Sequence, residues 1–234
     1  MNLDDITAVI LAGGKGERMR PYEGAKAAVP AAGRPLIHWL LQHLAASGVS
    51  KIHVCAGYHA GDVTAAIETY AGRAADIAWS NAGEDAAHGE RLLRAAEKIR
   101  TKYALVCYGD TIADVPVGDL LRLLLGGYSA AVLTAVQTHC AFGVVRGNGE
   151  KDRLVRIEEK PLMPFWVSIG YVLAHSAVCL AAKPADTLVD WVNRLAVDSG
   201  VLYYKHIGYH YTVNEEKDLR ALETAARAGR LSCK

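Results

Sequence analysis

The chain has 234 residues, 51% of them hydrophobic, and a formal net charge of +1 at pH 7. That length and apolar content can bury a substantial core in one domain, or in a domain with a small appendage. Near charge balance excludes the basic excess of a nucleic-acid or anionic-membrane binder and leaves room for a local basic pocket around a small ligand.

Five cysteines, Cys55, Cys107, Cys140, Cys179 and Cys233, form no C-x-x-C pair and lie mostly in apolar segments. This is the usage of small hydrophobes in a reducing compartment, not of a disulfide framework. Acidic residues precede the first apolar run, opposite in sign to a signal peptide. No segment is long and apolar enough to cross a bilayer, so a soluble, cytoplasmic protein is expected.

Residues 6–12 are rich in branched side chains and predict a fully buried, central parallel strand. The strand runs into Gly13-Gly14, then Gly16, with Arg18, Arg20, Pro21 and Lys26 beyond. Residues without side chains let peptide N–H groups approach an anion closely, and flanking cations add to the attraction. Two glycine signatures fail here: Gly16 is followed by Glu17 rather than the Lys-Ser/Thr of a Walker loop, and counting from Gly14 the third glycine of a dinucleotide fingerprint is Met19. A triphosphate or sugar-phosphate site fits the run. So does an ordinary strand-to-helix turn with scattered surface cations.

Apolar spacing predicts a helix over 36–47, stopped by Gly48, a strand over 51–56 and a helix over 62–71. This alternation implies a parallel sheet with helices on both faces, whose ligands sit beyond the carboxyl ends of the strands. A short strand over 77–79, a polar loop over 80–88 and a helix over 90–98 follow. Residues 103–110 read as another buried strand, ending in Asp110. A carboxylate there is placed to hold a divalent cation through oxygen, or to serve as a turn or N-cap residue.

After a helix over 117–125 the pattern becomes β-rich. Strands are predicted over 129–138, 142–146 and 154–159, with a hairpin signal at Asn148-Gly149. This part is expected to fold over the open end of the sheet and supply a second substrate's pocket. Its Glu158-Glu159-Lys160-Pro161 run suits hydroxyl and phosphate contacts, or is a solvated charge run before a proline. A strand over 166–174 contains Gly170, a helix covers 187–195, a strand 200–206 and a closing helix 218–228, with Gly229 after it. No repeat, low-complexity tract or linker separates the two parts. His206 and His210 flank Gly208, which argues against a helical zinc pair and leaves them as packing or substrate-edge residues.

The opening run resembles the signature of the sugar-1-phosphate nucleotidyltransferases: Leu11-Ala12-Gly13-Gly14-Lys15-Gly16-Glu17-Arg18-Met19-Arg20-Pro21, then Lys26, then Gly33-Arg34-Pro35-Leu36. Ala25 replaces the usual proline before the lysine, and Tyr22-Glu23 replaces the usual threonine after Pro21. Later stations follow in the family's order: His88-Gly89-Glu90-Arg91-Leu92, Tyr108-Gly109-Asp110, Phe142-Gly143, Glu159-Lys160-Pro161, and residues 208–219. The nearest flavour resembles glucose-1-phosphate cytidylyltransferase, through Gly57-Tyr58-His59, the His88 to Leu92 run and Tyr108 to Asp114. The GERMRP run is similar instead to muramate and mannose phosphate nucleotidyltransferases.

The resemblance implies an α/β, Rossmann-like, doubly wound fold on a mixed, mainly parallel sheet, with a small β-rich sugar-binding subdomain woven in. One nucleotidyltransferase domain is expected over 1–234, with the nucleotide part to about residue 125 and the sugar-phosphate part from about residue 126. The implied reaction joins a nucleoside triphosphate, with a lean to CTP, to a sugar-1-phosphate and releases pyrophosphate. Alternatives are UTP, GTP or dTTP with a non-hexose phosphate, or a catalytically silent binding homologue.

Arg18, Lys26 and Asp110 carry the implied catalytic roles. Leu11, Ala12, Gly13, Gly14, Lys15, Gly16, His88 and Gly89 are expected at the nucleotide, and Gly143, Glu159, Lys160, Ser168 and Gly170 at the sugar phosphate. Mg²⁺ is expected on Asp110 and Asn214, the latter standing where the family commonly has an aspartate. Ser168 stands where the family usually has an asparagine, leaving the sugar open. No nucleic acid or membrane partner is expected, and a homo-oligomer is compatible with the family.

Overall fold

The computed structural model describes residues 3–19, 22–70, 76–149 and 152–231. Arg20, Pro21, Cys233 and the end of the helix expected over 62–71 lie outside the described residues.

The first half comprises β1 (Ile6–Leu11), the short hairpin β2 (Pro30–Ala31) and β3 (Arg34–Pro35), and α1 (Leu36–Ala46). Next come β4 (Lys51–Ala56), α2 (Ala60–Glu68), β5 (Asp76–Asn81), α3 (His88–Ala96), β6 (Tyr103–Tyr108), β7 (Thr111–Ala113) and α4 (Val117–Gly126). The second half adds β8 (Ala131–Val136), β9 (Val144–Gly147), β10 (Leu154–Glu158), β11 (Val167–His175), α5 (Leu188–Asp198), β12 (Val201–Lys205), β13 (His210–Thr212) and α6 (Glu216–Arg227).

A seven-stranded sheet in the order β12-β8-β11-β6-β1-β4-β5 forms the centre. β1 pairs in parallel with both β4 and β6, while β11 runs antiparallel between β6 and β8. This is the mixed, mainly parallel α/β sheet that the sequence implies. Because side chains alternate along a strand, β1 feeds two cores. Ile6, Ala8 and Ile10 pack on the side of α1, α2, α4 and α6. Val9 and Leu11 pack with Leu92 of α3 and Trp191 and Leu195 of α5. A strand covered on both faces favours apolar residues at nearly every position, and the exception here, Thr7, pairs its hydroxyl with that of Thr101 at 2.7 Å.

Three differences from the sequence reading bear on the site. β8, β11 and β12 of the β-rich half extend the central sheet, and the β9–β10 hairpin stands apart from it. α3 starts at His88, two residues earlier than expected, because the Gly89 and Glu90 amides donate to the Asp186 and Pro184 carbonyls at 2.8 and 3.1 Å. The unpredicted strands β7 and β13 pair antiparallel through His210, Tyr211 and Thr212. That pairing carries the chain after residue 208 back to the end of β6.

Candidate functional site

The glycine loop begins where the ladder of β1 gives out. One step beyond the strand is still paired on both sides: the Gly109 amide donates to Leu11 O at 3.0 Å and the Ala12 amide to Cys55 O at 2.9 Å. The Gly13 and Gly14 amides then find no acceptor among the described residues. Gly16 has a φ of +62°, the left-handed backbone that favours glycine, and its carbonyl accepts from the Met19 amide at 2.7 Å.

Below the loop three side chains from distant parts of the chain converge. The Lys26 ammonium donates to Asp110 Oδ2 at 2.5 Å and to Asn214 Oδ1 at 3.0 Å. Arg18 reaches the same Asn214 oxygen at 3.3 Å. The Lys26–Asp110 pair is largely buried, at 13% and 24% side-chain exposure, so its charges are less screened than a surface pair's.

Backbone and hydroxyl contacts fix each partner. The Ala25 amide beside Lys26 is held by Asp62 at 3.1 Å. Thr111 Oγ1 donates to Asp110 Oδ1 at 3.3 Å and meets Thr212 Oγ1 at 3.1 Å. The Val213 amide donates to Asp110 O at 3.0 Å. Asp218 accepts from the Asn214 and Glu215 amides, both at 2.9 Å, as part of the capping box that starts α6.

Arg18, Lys26, Asp110 and Asn214 line a cavity of about 560 Å³ with Leu11, Ala12, Gly13, Gly14, Lys15, Ala27, Glu84, Ala86, Ala87, His88, Arg91, Tyr108, Gly109, Thr187 and Thr212. Lys15 is tied to the exposed Asp85 at 2.7 Å. The His88 Nδ1 accepts the Leu188 amide at 3.3 Å, and the ring sits 5.5 Å from that of Tyr108. Burial, and then the Arg91 charge, lower the His88 pKa, while Asp110 opposes them. The imidazole is therefore neutral at pH 7.

Other expected site residues stand elsewhere. Gly89 lies on the far side of the α3 start, where its amide is already donated to Asp186 O and a side chain would run into the Lys183 carbonyl. Gly16 is outside the cavity lining, although it packs on Lys26. Gly143, Glu159 and Lys160 belong to the β9–β10 hairpin region. Gly143 lies against Ile157 and Glu159, and the Glu159 and Lys160 side chains are 74% and 62% exposed. Ser168 lines an adjoining cavity of about 140 Å³ that shares Tyr108 with the larger one. Its hydroxyl accepts from the Gly170 amide at 3.2 Å, and Gly170, at φ +74°, lies against the Tyr108 ring. His206 faces Asp114 at 3.0 Å. Among the described residues no group of three or more His, Cys, Asp or Glu side chains is arranged to hold a metal ion.

The sequence reading gave no role to Glu84, Ala86, Ala87, Thr187 or Thr212. Tyr108 and Arg91 were visible only inside longer motifs. A loop that contributes backbone, as 84–87 does, leaves no side-chain signature.

Comparison with known proteins gives a consistent answer. The family model described as nucleotidyl transferase matches residues 7–208. Glucose-1-phosphate thymidylyltransferase of Streptomyces antibioticus is 30% identical over 164 residues, which is 68% of this chain and 46% of that protein. The bifunctional protein GlmU of Halorhodospira halophila is 29% identical over 225 residues, 95% of this chain and 44% of that protein. The matches thus span less than half the length of these two relatives. Among solved structures, HddC from Yersinia pseudotuberculosis superposes with a TM-score of 0.74 at 19% identity, covering 94% of this chain and 99% of that one. At that identity the likeness is one of fold.

Proposed function

The chain belongs to the nucleotidyl transferase family, and from that premise we propose that it joins a nucleoside triphosphate to a sugar-1-phosphate and releases pyrophosphate. One observation carries this reading: Lys26, Asp110, Asn214 and Arg18 meet on the wall of one cavity, beneath a loop with unpaired amides.

In the proposed step a phosphate oxygen of the sugar attacks the α-phosphorus in line. The new P–O bond forms as the bond to the β-phosphate oxygen breaks, and the electron pair leaves with pyrophosphate. The attacking oxygen is already ionised at neutral pH, so no general base is needed. Bringing two polyanions together is the barrier, and positioned positive charge and amides lower it. The Gly13 and Gly14 amides and Arg18 take the triphosphate, and Lys26 takes the phosphates nearest the reacting atoms. Lys15 flanks the triphosphate. The acceptor enters from the side of Tyr108 and Ser168, with Gly143, Glu159, Lys160 and Gly170 around its sugar and phosphate.

Mg²⁺ fits the donor set, because Asp110 Oδ2 and Asn214 Oδ1 converge on the single point that the Lys26 ammonium touches, and both are hard oxygen donors. Held there, the ion would supply further neutralisation of phosphate charge. Residues to about 125 form the nucleotide part and the remainder the acceptor part, except that Thr187, Thr212 and Asn214 return to the nucleotide side.

CTP is the first base to test, on the likeness of residues 57–59, 88–92 and 108–114 to the cytidylyltransferase pattern. Incubating protein and Mg²⁺ with each triphosphate and a panel of sugar phosphates should release pyrophosphate. Folded protein that releases none with any pair would remove the transferase reading. Nucleotide binding by calorimetry without product would then mark a silent homologue.

A further inference from the structure

We infer that Arg91 is a positioning residue for the nucleotide half of the site: its guanidinium fixes the spacing between the glycine loop and the 83–87 loop and turns the Gly14 amide toward the triphosphate. The inference rests on the proposed nucleotide site and adds to it a residue with no contact to the reacting atoms.

Arg91 is 3% exposed, and among the described residues no carboxylate pairs with it. A buried cation without an anion needs full hydrogen bonding to be tolerated. Arg91 finds it in backbone carbonyls. Its Nε donates to Ala86 O at 3.1 Å and one terminal nitrogen to Ala56 O. The other terminal nitrogen reaches Gly83 O at 3.1 Å and Gly13 O and Glu84 O, both at 3.3 Å. Three separate segments are thereby gathered on one group: the start of the glycine loop, the end of β4, and the loop after β5.

Two glycines answer to this clasp. A Cβ at Gly13 or at Gly57 would overlap the guanidinium, and neither residue has left-handed backbone. Glycine stands at both positions for space, not for conformation. The peptide geometry supplies the functional link. In a trans peptide the carbonyl and the following N–H point in opposite directions, so holding Gly13 O on Arg91, where the Tyr58 amide beside Gly57 also reaches it at 3.3 Å, aims the Gly14 N–H away from Arg91. Gly14 lines the cavity, and its amide has no protein acceptor among the described residues.

Three variants test the assignment: Arg91→Met, Arg91→Lys and Gly57→Ala, the last of which displaces the guanidinium without changing charge. In ligand-free protein, hydrogen exchange over 10–16 and 82–88 should quicken by about tenfold in Arg91→Met, with 131–136 and 201–205 unchanged. In turnover assays the KM for the triphosphate should rise about tenfold or more while the KM for the sugar phosphate stays within about twofold. Because both substitutions break one clasp, Gly57→Ala combined with Arg91→Met should be no worse than the worse single variant. Arg91→Lys, which keeps charge but loses the fork, should behave like Arg91→Met.

Unchanged exchange in both loops, or loss of protection spread evenly over the molecule, would overturn the inference, as would additive effects in the double variant. The exchange measurement needs no substrate. A wild-type protein that releases no pyrophosphate but shows the two-loop exchange response would therefore sink the transferase reading alone, and normal triphosphate KM in every variant would sink the clasp alone.

Discussion

The proposed nucleotide side and the proposed acceptor side of this molecule are built on different principles, though the family resemblance assigns residues to both. On the proposed nucleotide side, Lys26 meets Asp110 and Asn214 within 3.0 Å although the three are far apart in sequence, because the ends of β1, β4 and β6 are joined one step past the strands and the β7–β13 pairing returns Asn214 to the end of β6. On the acceptor side, Gly143, Glu159 and Lys160 are carried by the β9–β10 hairpin, where Val145 and Ile157 are exposed and Glu158 is held by Arg146 and Arg156. A two-stranded hairpin is marginal without a packed face. The first region is organised without a ligand, and on the proposed reading the second would leave part of its ordering cost to the acceptor.

The largest expected effect lies in the organised region. Removing one positioned charge at a reacting phosphate should cost on the order of 10²–10³-fold in turnover, so Asp110→Ala and Lys26→Met should each fall by that much. Pyrophosphate release measures it, with circular dichroism confirming that the variants fold. Turnover like wild type in Asp110→Ala would remove that carboxylate from the reaction and erase the contrast between the two sides.

A pair of glycines sharpens the contrast through stability. Gly170 and Gly149 have nearly the same left-handed backbone, φ +74° and +76°, but Gly170 is pressed on the Tyr108 ring and Gly149, at the hairpin turn, has open space around it. Gly149→Ala should cost about 1 kcal/mol from backbone strain alone, whereas Gly170→Ala adds an overlap with the ring and should cost roughly 3 kcal/mol. Urea unfolding of the two variants reads the difference. Equal losses would mean that Tyr108 moves freely and that the wall between the two cavities is soft.

Acid should also separate the regions. His53 on β4 is buried, with its ring 2.8 Å from the Ser80 hydroxyl. Burial first, and then the Lys98 charge, hold its pKa down to about 4 against an ordinary 6.5. A histidine with a depressed folded pKa is neutral in the native state and takes up its proton more readily when unfolded. Its stabilising contribution is therefore complete above about pH 6.5 and is lost as pH falls toward about 4, on the order of 2–3 kcal/mol across that window. Comparing unfolding at pH 7 and pH 5 in wild type and His53→Asn measures it, and the variant should show the shallower loss. An identical slope in both would place the acid sensitivity elsewhere.

Much of the central layer was legible because burial on two faces writes itself directly into a strand: residues 6–12, 51–56 and 103–108 are apolar nearly throughout. The glycine loop was legible for the same reason, since an abrupt change from branched residues to glycine and cations has few other causes. β7 and β13 were not legible. Three-residue strands carry no periodicity, and what fixes them is a long-range pairing through Thr111 and Thr212. That pairing brings Asn214 to Asp110, two residues that the resemblance joins through one expected Mg²⁺ and that no local pattern in the sequence brings together. The start of α3 was misread for a related reason: its first amides are satisfied by the carbonyls of residues 184 and 186, a tertiary contact that no local cap announces. The Arg91 clasp acts wholly through carbonyls, which every residue has.

The smallest expected effect tests the exposed side. Lys160 lies 3.9 Å from Glu159 with both side chains mostly in solvent, a pair that contributes about 0–1 kcal/mol to stability. Lys160→Ala should leave unfolding essentially unchanged, so any kinetic change reports on substrate and not on the fold. If the hairpin closes the acceptor side, the KM for the sugar phosphate should rise by about tenfold, the cost of roughly 1.4 kcal/mol of binding, while the KM for the triphosphate holds. A rise in both would show that the two halves order each other. No rise in either would move the acceptor away from the hairpin, toward the cavity that Tyr108 and Ser168 share, where the sheet and α5 together supply the walls.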